Sequence, residues 1–256
     1  MSRLAHLFEL KGRTAIVTGG NAGIGLALAR ALGLAGARLV LVARREKQLA
    51  EAANMLQADG IVAQTLATDL ATPSGPDRVA EGARSLAARI DIVVNAAGIN
   101  LRHPFEDVTT EEFDRHLAIH LRAPFRLTQL LAPAMAERGW GRIINVASLQ
   151  SVRAFANSAP YGAAKGGIVQ LTRAIAEHWS RHGVTCNAIA PGFFPTDLTA
   201  PIFNDPHRSA ELAARTAIGR NGRMEDLHGA AVFLASDASG YVTGQTLFVD
   251  GGFSAK

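Results

Sequence analysis

Cysteine is almost absent from this sequence of 256 residues, and tyrosine and tryptophan occur only twice each. The one cysteine, Cys186, has no partner for a disulfide within the chain, and no charged segment followed by an apolar one precedes Leu10. We therefore expect a protein of the reducing cytoplasm. Gly, Arg, Asp or Asn interrupts every apolar run before the roughly 18 residues that a membrane-spanning helix needs, so we expect no membrane partner.

The chain also carries little net charge, because 26 Lys and Arg residues face 22 Asp and Glu residues and leave a formal charge of +4. The arginines are scattered rather than grouped in a basic run, which argues against nucleic acid as a partner. A mildly positive field suits an anionic small-molecule cofactor or substrate, although a solvated arginine-rich surface explains the bulk charge equally well. We predict no metal site.

Short runs rich in Val, Ile and Leu alternate with longer segments that have the period of a helix. Strands joined by helices in this way form parallel sheets that are covered on both faces. We therefore predict an α/β protein with a Rossmann-type, doubly wound, parallel seven-stranded sheet and helices on both faces. No repeat, low-complexity tract or polar linker divides the chain, which predicts a single domain over residues 1–256. The predicted strands are Thr14–Thr18, Arg38–Ala43, Ile61–Leu66, Ile90–Asn95, Arg142–Ala147, Val184–Ala190 and, at an edge, Thr246–Val249.

Residues 192–223 are the least regular part of the chain, with Pro195, Pro201 and Pro206 among aromatic and polar residues. The segment follows the sixth predicted strand, at the edge of the sheet where ligands bind in open α/β folds. We predict that it is a substrate lid. The simpler alternative is a surface excursion without a role.

A glycine-rich turn separates the first predicted strand from a segment of helical period, and it reads Gly19-Gly20-Asn21-Ala22-Gly23-Ile24-Gly25. Gly19 and Gly23 let the backbone turn tightly and approach a pyrophosphate, and Gly25 allows close contact between helix and strand. The N-terminus of the helix presents free N–H groups to the anion. The turn therefore predicts a dinucleotide site. Its spacing departs from the common G-x-G-x-x-G fingerprint, so a plain turn is the alternative.

The second predicted strand ends in Ala43-Arg44-Arg45, at the position where an acidic residue would bind the ribose 2′-hydroxyl of NAD. Arg44, assisted by Arg45, can instead pair with a 2′-phosphate through charge-assisted hydrogen bonds. We therefore favour NADP(H) over NAD(H), and two solvated arginines at a strand end are the alternative. Asp69 follows the third strand, where it either accepts from the adenine amino group or forms a simple turn.

Tyr161 and Lys165 lie four residues apart at the start of a segment of helical period, so their side chains share one helix face. A phenol has an unperturbed pKa of about 10, and a neighbouring ammonium would have to lower that pKa by about 2 to 3 units for acid–base catalysis near neutrality. Ser148 ends the fifth predicted strand and can hydrogen-bond a reacting oxygen as that oxygen gains negative charge. A serine at a strand end is otherwise most often a cap.

Together these motifs resemble the short-chain dehydrogenase/reductase family over almost the whole chain. The motifs that carry the resemblance are Thr18-Gly19-x3-Gly23-x-Gly25, Asn95-Ala96-Ala97-Gly98, Ser148, Tyr161-x3-Lys165, Asn187, Pro191-Gly192-x3-Thr196 and Asp250-Gly251-Gly252. The candidate cofactor-binding residues are Gly19, Asn21, Gly23, Ile24, Gly25, Arg44, Arg45, Asp69, Leu70, Asn95, Ala96, Gly98, Tyr161, Lys165, Pro191, Gly192, Phe194 and Thr196.

The resemblance implies an NADP(H)-dependent oxidoreductase that interconverts a secondary alcohol and a ketone by hydride transfer, with Tyr161 as the acid/base. It further implies that Lys165 holds the nicotinamide ribose, that Ser148 orients the substrate and that Thr196 contacts the carboxamide. Asn95 and Gly98 would pack beside the adenine ribose. A homotetramer or dimer would be built on two long helices, predicted at Glu111–Arg138 and Tyr161–His182.

One position departs from the family pattern. The chain has His120 where the family usually has an asparagine, which is thought to hold a water that relays protons to the lysine. An imidazole also binds water, and its unperturbed pKa is about 6.5. We predict His120 as a fourth catalytic residue, with a tolerated substitution inside a helix packing face as an equal alternative.

The substrate is a harder question than the reaction. Within the family, the sequence is similar to sugar-acid dehydrogenases of the gluconate 5-dehydrogenase type, a likeness carried by residues 95–102, 160–167 and 232–241. Arg102 follows the fourth strand, where its guanidinium can hold a substrate carboxylate through two parallel hydrogen bonds, and a solvated loop arginine is the alternative. The candidate substrate-binding residues are Arg102, Ser148 and Phe193.

Three other functions stay open at this point. The first is reduction of a 3-oxoacyl thioester, whose acidic carrier protein would dock on a positive surface. An apolar ketone is favoured by Phe193, Phe194 and Phe203 on the predicted lid. A function of another class is a sensor that binds NADP(H) without turnover, which the unusual His120 keeps open.

Overall fold

Seven parallel strands lie side by side in the computed structural model, which describes residues 3–256, with side chains from residue 4 onward. Their order across the sheet is β3-β2-β1-β4-β5-β6-β7, and every neighbouring pair is parallel. The order reverses between β1 and β4, which is the place where doubly wound folds bind ligands. The predicted fold class is confirmed. The strands are β1 Thr14–Thr18, β2 Arg38–Ala43, β3 Ala63–Ala67, β4 Ile92–Asn95, β5 Gly141–Val146, β6 Val184–Pro191 and β7 Thr246–Val249.

Helices cover both faces of this sheet. On one face α2, α3 and α10 pack through side chains such as Leu28 and Leu234, and on the other α4, α6 and α7 pack through side chains such as Leu127 and Ile175. Burial on both faces explains why β1, β4, β5 and β6, whose residues are all buried, are mostly apolar on both faces instead of alternating between apolar and polar residues. The helices are α1 Arg3–His6, α2 Gly23–Leu34, α3 Glu46–Ala58, α4 Gly75–Leu86, α5 Thr110–Leu117, α6 Ala123–Glu137, α7 Ala159–Trp179, α8 Ala200–Phe203, α9 Pro206–Arg215 and α10 His228–Ala235. Within residues 3–256, none of them is both long and apolar enough to cross a membrane.

Two strands begin two residues later than the apolar pattern predicts. At β3, the side chain of Ile61 packs so closely on Gly33 of α2 that a Cβ added there would lie 2.3 Å from it. The Ile61 N–H donates to the Leu56 carbonyl in the last turns of α3, so the strand starts only at Ala63. An apolar residue that serves a helix contact therefore looks like part of the strand in the sequence.

At β4, a buried carboxylate delays the start of pairing from Ile90 to Ile92. Asp91 accepts a hydrogen bond from the Thr14 N–H at 3.0 Å, and the ladder with β1 begins one residue further along. The other differences are single residues: β3 ends one residue later than predicted, β5 begins and ends one residue earlier, and β6 runs one residue further, to Pro191. Ser148 therefore lies two residues beyond the end of β5 and Pro191 is the last residue of β6, so both stay at the carboxyl edge of the sheet.

The first predicted long helix is continuous from residue 110 to 137 but is not uniform. Between α5 and α6, residues Ala118–Arg122 form a π-helical turn, in which the Ala123 N–H donates to the Ala118 carbonyl. Such turns are frequent at functional sites. This one contains His120, which is buried at 2% exposure. The second predicted long helix is α7, followed by one 3-10 turn at Ser180–His182.

The segment 192–223 leaves the sheet at the carboxyl end of β6. It contains the short helices α8 and α9, and no residue of either helix is buried. Its two ends are joined by a hydrogen bond from the Gly222 N–H to the Phe193 carbonyl at 2.9 Å. The segment is thus closed at its base, while its outer helices bury none of their residues.

Candidate active site

One large cleft runs along the carboxyl ends of the strands. It has a volume of about 440 Å³, and a smaller cavity of about 120 Å³ adjoins it beside β2 and β3. The cleft brings together predicted residues from the glycine turn, the ends of β2, β4, β5 and β6, the π-helical turn and α7. They are Gly19, Asn21, Gly23, Ile24, Gly25, Arg44, Arg45, Ala96, Gly98, Arg102, His120, Ser148, Tyr161, Lys165, Pro191, Gly192, Phe193, Phe194 and Thr196, and Asp69 and Leu70 line the smaller cavity.

The glycine turn has the tight geometry that the sequence predicts. Gly19 has φ of 67° and Gly23 has φ of 53°, values that L side chains rarely adopt. A Cβ added at Gly25 would lie 2.2 Å from the Gly19 carbonyl oxygen, so only glycine permits this approach of α2 to the turn. The backbone of the turn is therefore open to a ligand on its outer side.

The N-terminus of α2 points at the same cleft. Its N-cap residue, Ala22, provides no side-chain hydrogen bond to the first turn, and that turn lacks an acidic residue. The first N–H groups of a helix have no partner within the helix and carry the positive end of its dipole. Because Ala22, Gly23, Ile24 and Gly25 line the cleft, a phosphate group fits there.

Arg44 and Arg45 lie at the end of β2, where the cleft meets the smaller cavity. Their guanidinium groups are 4.0 Å from the carboxylates of Asp69 and Asp197 respectively, and both side chains are about half exposed. Pairs this long and this exposed hold a side chain only weakly, so both arginines are available to an anion. Asp69 also accepts from the Ala71 N–H at 2.9 Å, as a turn aspartate does.

Ser148, Tyr161 and Lys165 meet where the end of β5 faces the start of α7. The Lys165 Nζ is buried, donates to the Val146 carbonyl at 2.5 Å and lies 5.5 Å from the centre of the Tyr161 ring. The Ser148 hydroxyl faces the phenol, and it accepts a hydrogen bond from the Gln150 N–H at 3.1 Å. The three side chains form the polar group that the sequence predicts.

The pKa values of this group differ from the expectation drawn from spacing. Burial raises the pKa of the Tyr161 phenol above its usual value, and the hydrogen bond from Ser148 and the charge of Arg102 oppose this only in part. Burial also lowers the pKa of Lys165 to about 7. The expected lowering of the Tyr161 pKa by Lys165 is therefore wrong for this structure, because the amine is itself desolvated and points at a backbone carbonyl.

His120 lies against Tyr161 with ring centres 5.2 Å apart in an edge-to-face arrangement. Its Nε2 lies 2.8 Å from the Ile99 carbonyl oxygen and 3.3 Å from the Ile99 nitrogen. We assign the ring proton to Nε2 because the contact with the carbonyl is the shorter one and only an N–H can donate to a carbonyl. Nδ1 then carries a lone pair and, although it is buried, has no hydrogen-bond partner among the residues that the structure describes. Burial, with the charge of Lys165, holds the pKa of His120 well below its usual value, so it does not titrate near pH 6.5 as the sequence suggests.

Aromatic rings form one wall of the cleft. Phe193 contacts Phe155 and Phe253 edge to face, with ring centres 6.1 and 5.4 Å apart. Phe194 also borders the cleft, but its ring is almost wholly buried in the core. Phe193 is therefore the side chain of the pair placed to contact a substrate.

Asn95 is the one predicted site residue that lines neither cavity. It is buried beneath them, and its amide donates to Asn145 at 2.8 Å. The sequence analysis missed four polar residues that line the cleft: Asn100, Gln150, Asp197 and Thr199. Asn100 and Gln150 each have a buried side-chain oxygen without a partner among the described residues. Asn100 and Gln150 lie two residues after Gly98 and Ser148, and this nearness to predicted site residues is the one feature of the sequence that indicates them.

A glycine turn that opens a doubly wound sheet, with a Ser-Tyr-Lys group across the cleft, defines a dinucleotide-dependent oxidoreductase. Residues 19–254 match the family model described as Enoyl-(Acyl carrier protein) reductase. The chain belongs to the short-chain dehydrogenase/reductase family and is an NAD(P)-dependent oxidoreductase.

Several relatives act on sugar acids. Gluconate 5-dehydrogenase of Gluconobacter oxydans (strain 621H) is 40% identical over 253 residues, which is 98% of each chain. The 2-dehydro-3-deoxy-D-gluconate 5-dehydrogenase of Bacillus subtilis (strain 168) is 39% identical over 100% of both chains. The crystal structure of a gluconate 5-dehydrogenase from Burkholderia cenocepacia J2315, in complex with NADP and tartrate, is 38% identical, with a TM-score of 0.93 over 99% of this chain and 100% of that one.

The buried amine makes a prediction about stability. The pKa of Lys165 is about 7 in the folded chain and 10.5 when unperturbed, so between these pH values the unfolded chain binds more protons and the free energy of unfolding rises with pH. In Lys165→Met, the part of this increase that comes from the amine, on the order of a few kcal/mol in the free energy of unfolding, should vanish. Urea unfolding at pH 7, 8 and 9 compares the two proteins. Parallel curves for the variant and the wild type would contradict a desolvated amine.

Proposed function

We propose that the protein is an NADP(H)-dependent oxidoreductase that interconverts a secondary alcohol and a ketone on a sugar acid, with Tyr161 as the acid/base. The observation that carries the proposal is the shared cleft, in which the Ser148, Tyr161 and Lys165 group faces the glycine turn. Arg102 lines the same cleft, and its positive charge acts on the Tyr161 phenol. The dinucleotide, when bound, supplies or accepts the hydride.

The cofactor assignment rests on residues that fit its anionic groups. The glycine turn and the uncapped N-terminus of α2 suit the pyrophosphate, and Arg44, with Arg45, suits a 2′-phosphate. Lys165 and Thr196 would hold the nicotinamide half. The B. cenocepacia enzyme was solved with NADP, which agrees with this assignment.

The proton is handled by the chain's own side chains. In reduction the Tyr161 phenol, protonated because its pKa is raised, gives its proton to the carbonyl oxygen of the substrate. The Ser148 hydroxyl donates a hydrogen bond to that oxygen and stabilises the negative charge that it gains. In oxidation the same phenol must first lose its proton.

His120 offers a path by which this proton is exchanged. Its unpartnered Nδ1 is buried beside Tyr161, and the charge of Lys165 acts on its ring. A neutral imidazole nitrogen accepts a hydrogen bond from a water as the usual asparagine oxygen does. We infer that His120 keeps the relay to Lys165 as a fixed acceptor that stays neutral, rather than as a group that titrates.

A sugar acid suits the polar side of the cleft. Arg102 supplies a positive charge for a carboxylate, and the unpartnered oxygens of Asn100 and Gln150 can accept from hydroxyl groups. The relatives named above act on gluconate-type acids, and tartrate, bound in one of them, carries carboxylates beside hydroxyls. The aromatic wall at Phe155 and Phe193, with Phe253 packed behind Phe193, favours an apolar ketone as the second candidate.

The segment 192–223 is proposed as the lid over this substrate, since the residues of its helices α8 and α9 are not buried and its start lines the cleft. We also propose a homotetramer or dimer that pairs the long helices. Exposed Phe113 on α5 and Phe125 on α6 support a partner on that face, being 38% and 50% exposed.

A substrate panel tests the proposed activity. NADPH oxidation should be measured with 5-ketogluconate, an acetoacetyl thioester and an aryl ketone, and we expect the highest kcat/KM on the sugar acid. Arg102→Ala should lower kcat/KM for 5-ketogluconate about 10- to 100-fold, since a charge-assisted bidentate contact is lost, and leave the aryl ketone unchanged. Equal losses on both would contradict the carboxylate assignment, and tight NADPH binding without turnover on any compound would favour the sensor.

Cofactor preference tests the role of Arg44. Arg44→Asp should change the ratio of kcat/KM for NADPH over NADH by about 100-fold toward NADH, because the carboxylate repels the 2′-phosphate and binds the ribose hydroxyl. Arg38→Asp is the matched control, with the same charge change at the other end of β2, and should leave the ratio unaltered. A ratio equal to that of the wild type in Arg44→Asp would refute the assignment.

A further inference from the structure

Two buried imidazoles lie one helical turn apart beside the cleft. His116, in the last turn of α5, is 0% exposed, and its ring stacks on that of His120 with centres 6.1 Å apart and an interplanar angle of 23°. His116 does not line the cleft, and the acid–base group does not contain it. Full burial of an imidazole is costly unless its nitrogens are hydrogen-bonded, so their partners indicate what it does.

Both nitrogens of His116 have backbone partners. Nδ1 lies 2.7 Å from the Glu112 carbonyl and must carry the proton in order to donate to it. Nε2 lies 3.2 Å from the Leu101 nitrogen and accepts from its N–H. Neutral His116 therefore connects α5 to the segment that follows β4.

Two further contacts fix the same segment. His120 donates to the Ile99 carbonyl at 2.8 Å, and the ring lies so close to Gly98 that a Cβ added there would be 2.7 Å from it. The Nε2 of His103 lies 3.1 Å from the Glu112 carboxylate. Residues 99, 101 and 103 are thus held from the side of α5 and the π-helical turn.

The residues between these contacts are the ones that line the cleft with polar side chains. Asn100 and Arg102 lie between the anchored positions, and both line the cleft beside the apolar side chain of Ile99. Leu101 and His103 flank Arg102 directly in the chain. The contacts that His116 and Glu112 make therefore set the position of the Arg102 backbone, from which the side chain extends.

We propose that His116 is a positioning residue for recognition of the substrate carboxylate, acting through the Leu101 N–H on the placement of Arg102. The inference rests on the proposed function, in which Arg102 binds that carboxylate. A histidine suits this position because one ring bonds the helix carbonyl and the segment amide together, which an aliphatic side chain of the same volume cannot do.

The test compares kcat and KM for 5-ketogluconate with those for the ketose in which a CH2OH group replaces the carboxylate. His116→Phe keeps the ring and removes both nitrogens. We expect KM for the acid to rise about tenfold, the worth of one backbone hydrogen bond, with kcat within twofold and with KM for the ketose unchanged. His116→Gln retains an acceptor for the Leu101 N–H and should restore most of the affinity.

A double-mutant cycle makes the route through Arg102 explicit. In an Arg102→Ala background, His116→Phe should raise KM for the acid by less than twofold, because the group that it positions is gone. His178→Phe, an exposed histidine on α7, is the matched control and should change neither KM. Should His116→Phe fold poorly by circular dichroism, His116→Met keeps an apolar side chain and is measured in its place.

The outcomes separate this inference from the proposed function. If Arg102→Ala lowers kcat/KM equally on the acid and the ketose, the carboxylate assignment fails. If Arg102→Ala discriminates between them while His116→Phe affects both alike, or lowers kcat alone, His116 is only structural and this inference is overturned.

Discussion

The arrangement of the site depends on one buried hydrogen bond, from the Lys165 Nζ to the Val146 carbonyl. It fixes the start of α7 to the end of β5. Tyr161 lies one helical turn before Lys165, and Ser148 lies two residues after Val146, so this bond also sets where the hydroxyl meets the phenol. The amine is desolvated in return, which lowers its pKa to about 7. The buried amine therefore lowers the stability of the folded chain at the position where the reaction needs a group that can exchange a proton.

A second set of buried hydrogen bonds, below the one from Lys165, holds α7 on the sheet. The amide of Asn145, on β5, accepts from Asn95 at 2.8 Å and donates to Thr172 of α7 at 2.9 Å. Thr172 in turn donates to the Ile168 carbonyl within its own helix. These hydrogen bonds link β4, β5 and α7 through buried side chains, so they limit the alternative placements of the helix. Asn95 therefore supports the site from beneath, through its hydrogen bond to Asn145, and does not line the cleft.

Local pattern was sufficient for the strands, the glycine turn and the Ser148, Tyr161 and Lys165 group, because each of these depends on residues close in sequence. Pattern was insufficient wherever a residue acts through a distant partner. The starts of β3 and β4 depend on Ile61 meeting α2 and on Asp91 meeting β1. Four-residue spacing showed that Tyr161 and Lys165 are neighbours but not that both are desolvated, and the direction of their pKa shifts follows from desolvation. His116 and Gln150 belong to none of the motifs, and Asn100 lies inside one without having been assigned a role.

The central claim is that Tyr161 exchanges the proton and has a raised pKa. The pH dependence of kcat/KM for gluconate oxidation with NADP tests it most directly, because oxidation needs the phenolate. The account predicts a rise from pH 7 into the range above 9, and loss of turnover in Tyr161→Phe with cofactor binding retained. A profile that is level or falling over this range, or oxidation that persists in Tyr161→Phe, would contradict it.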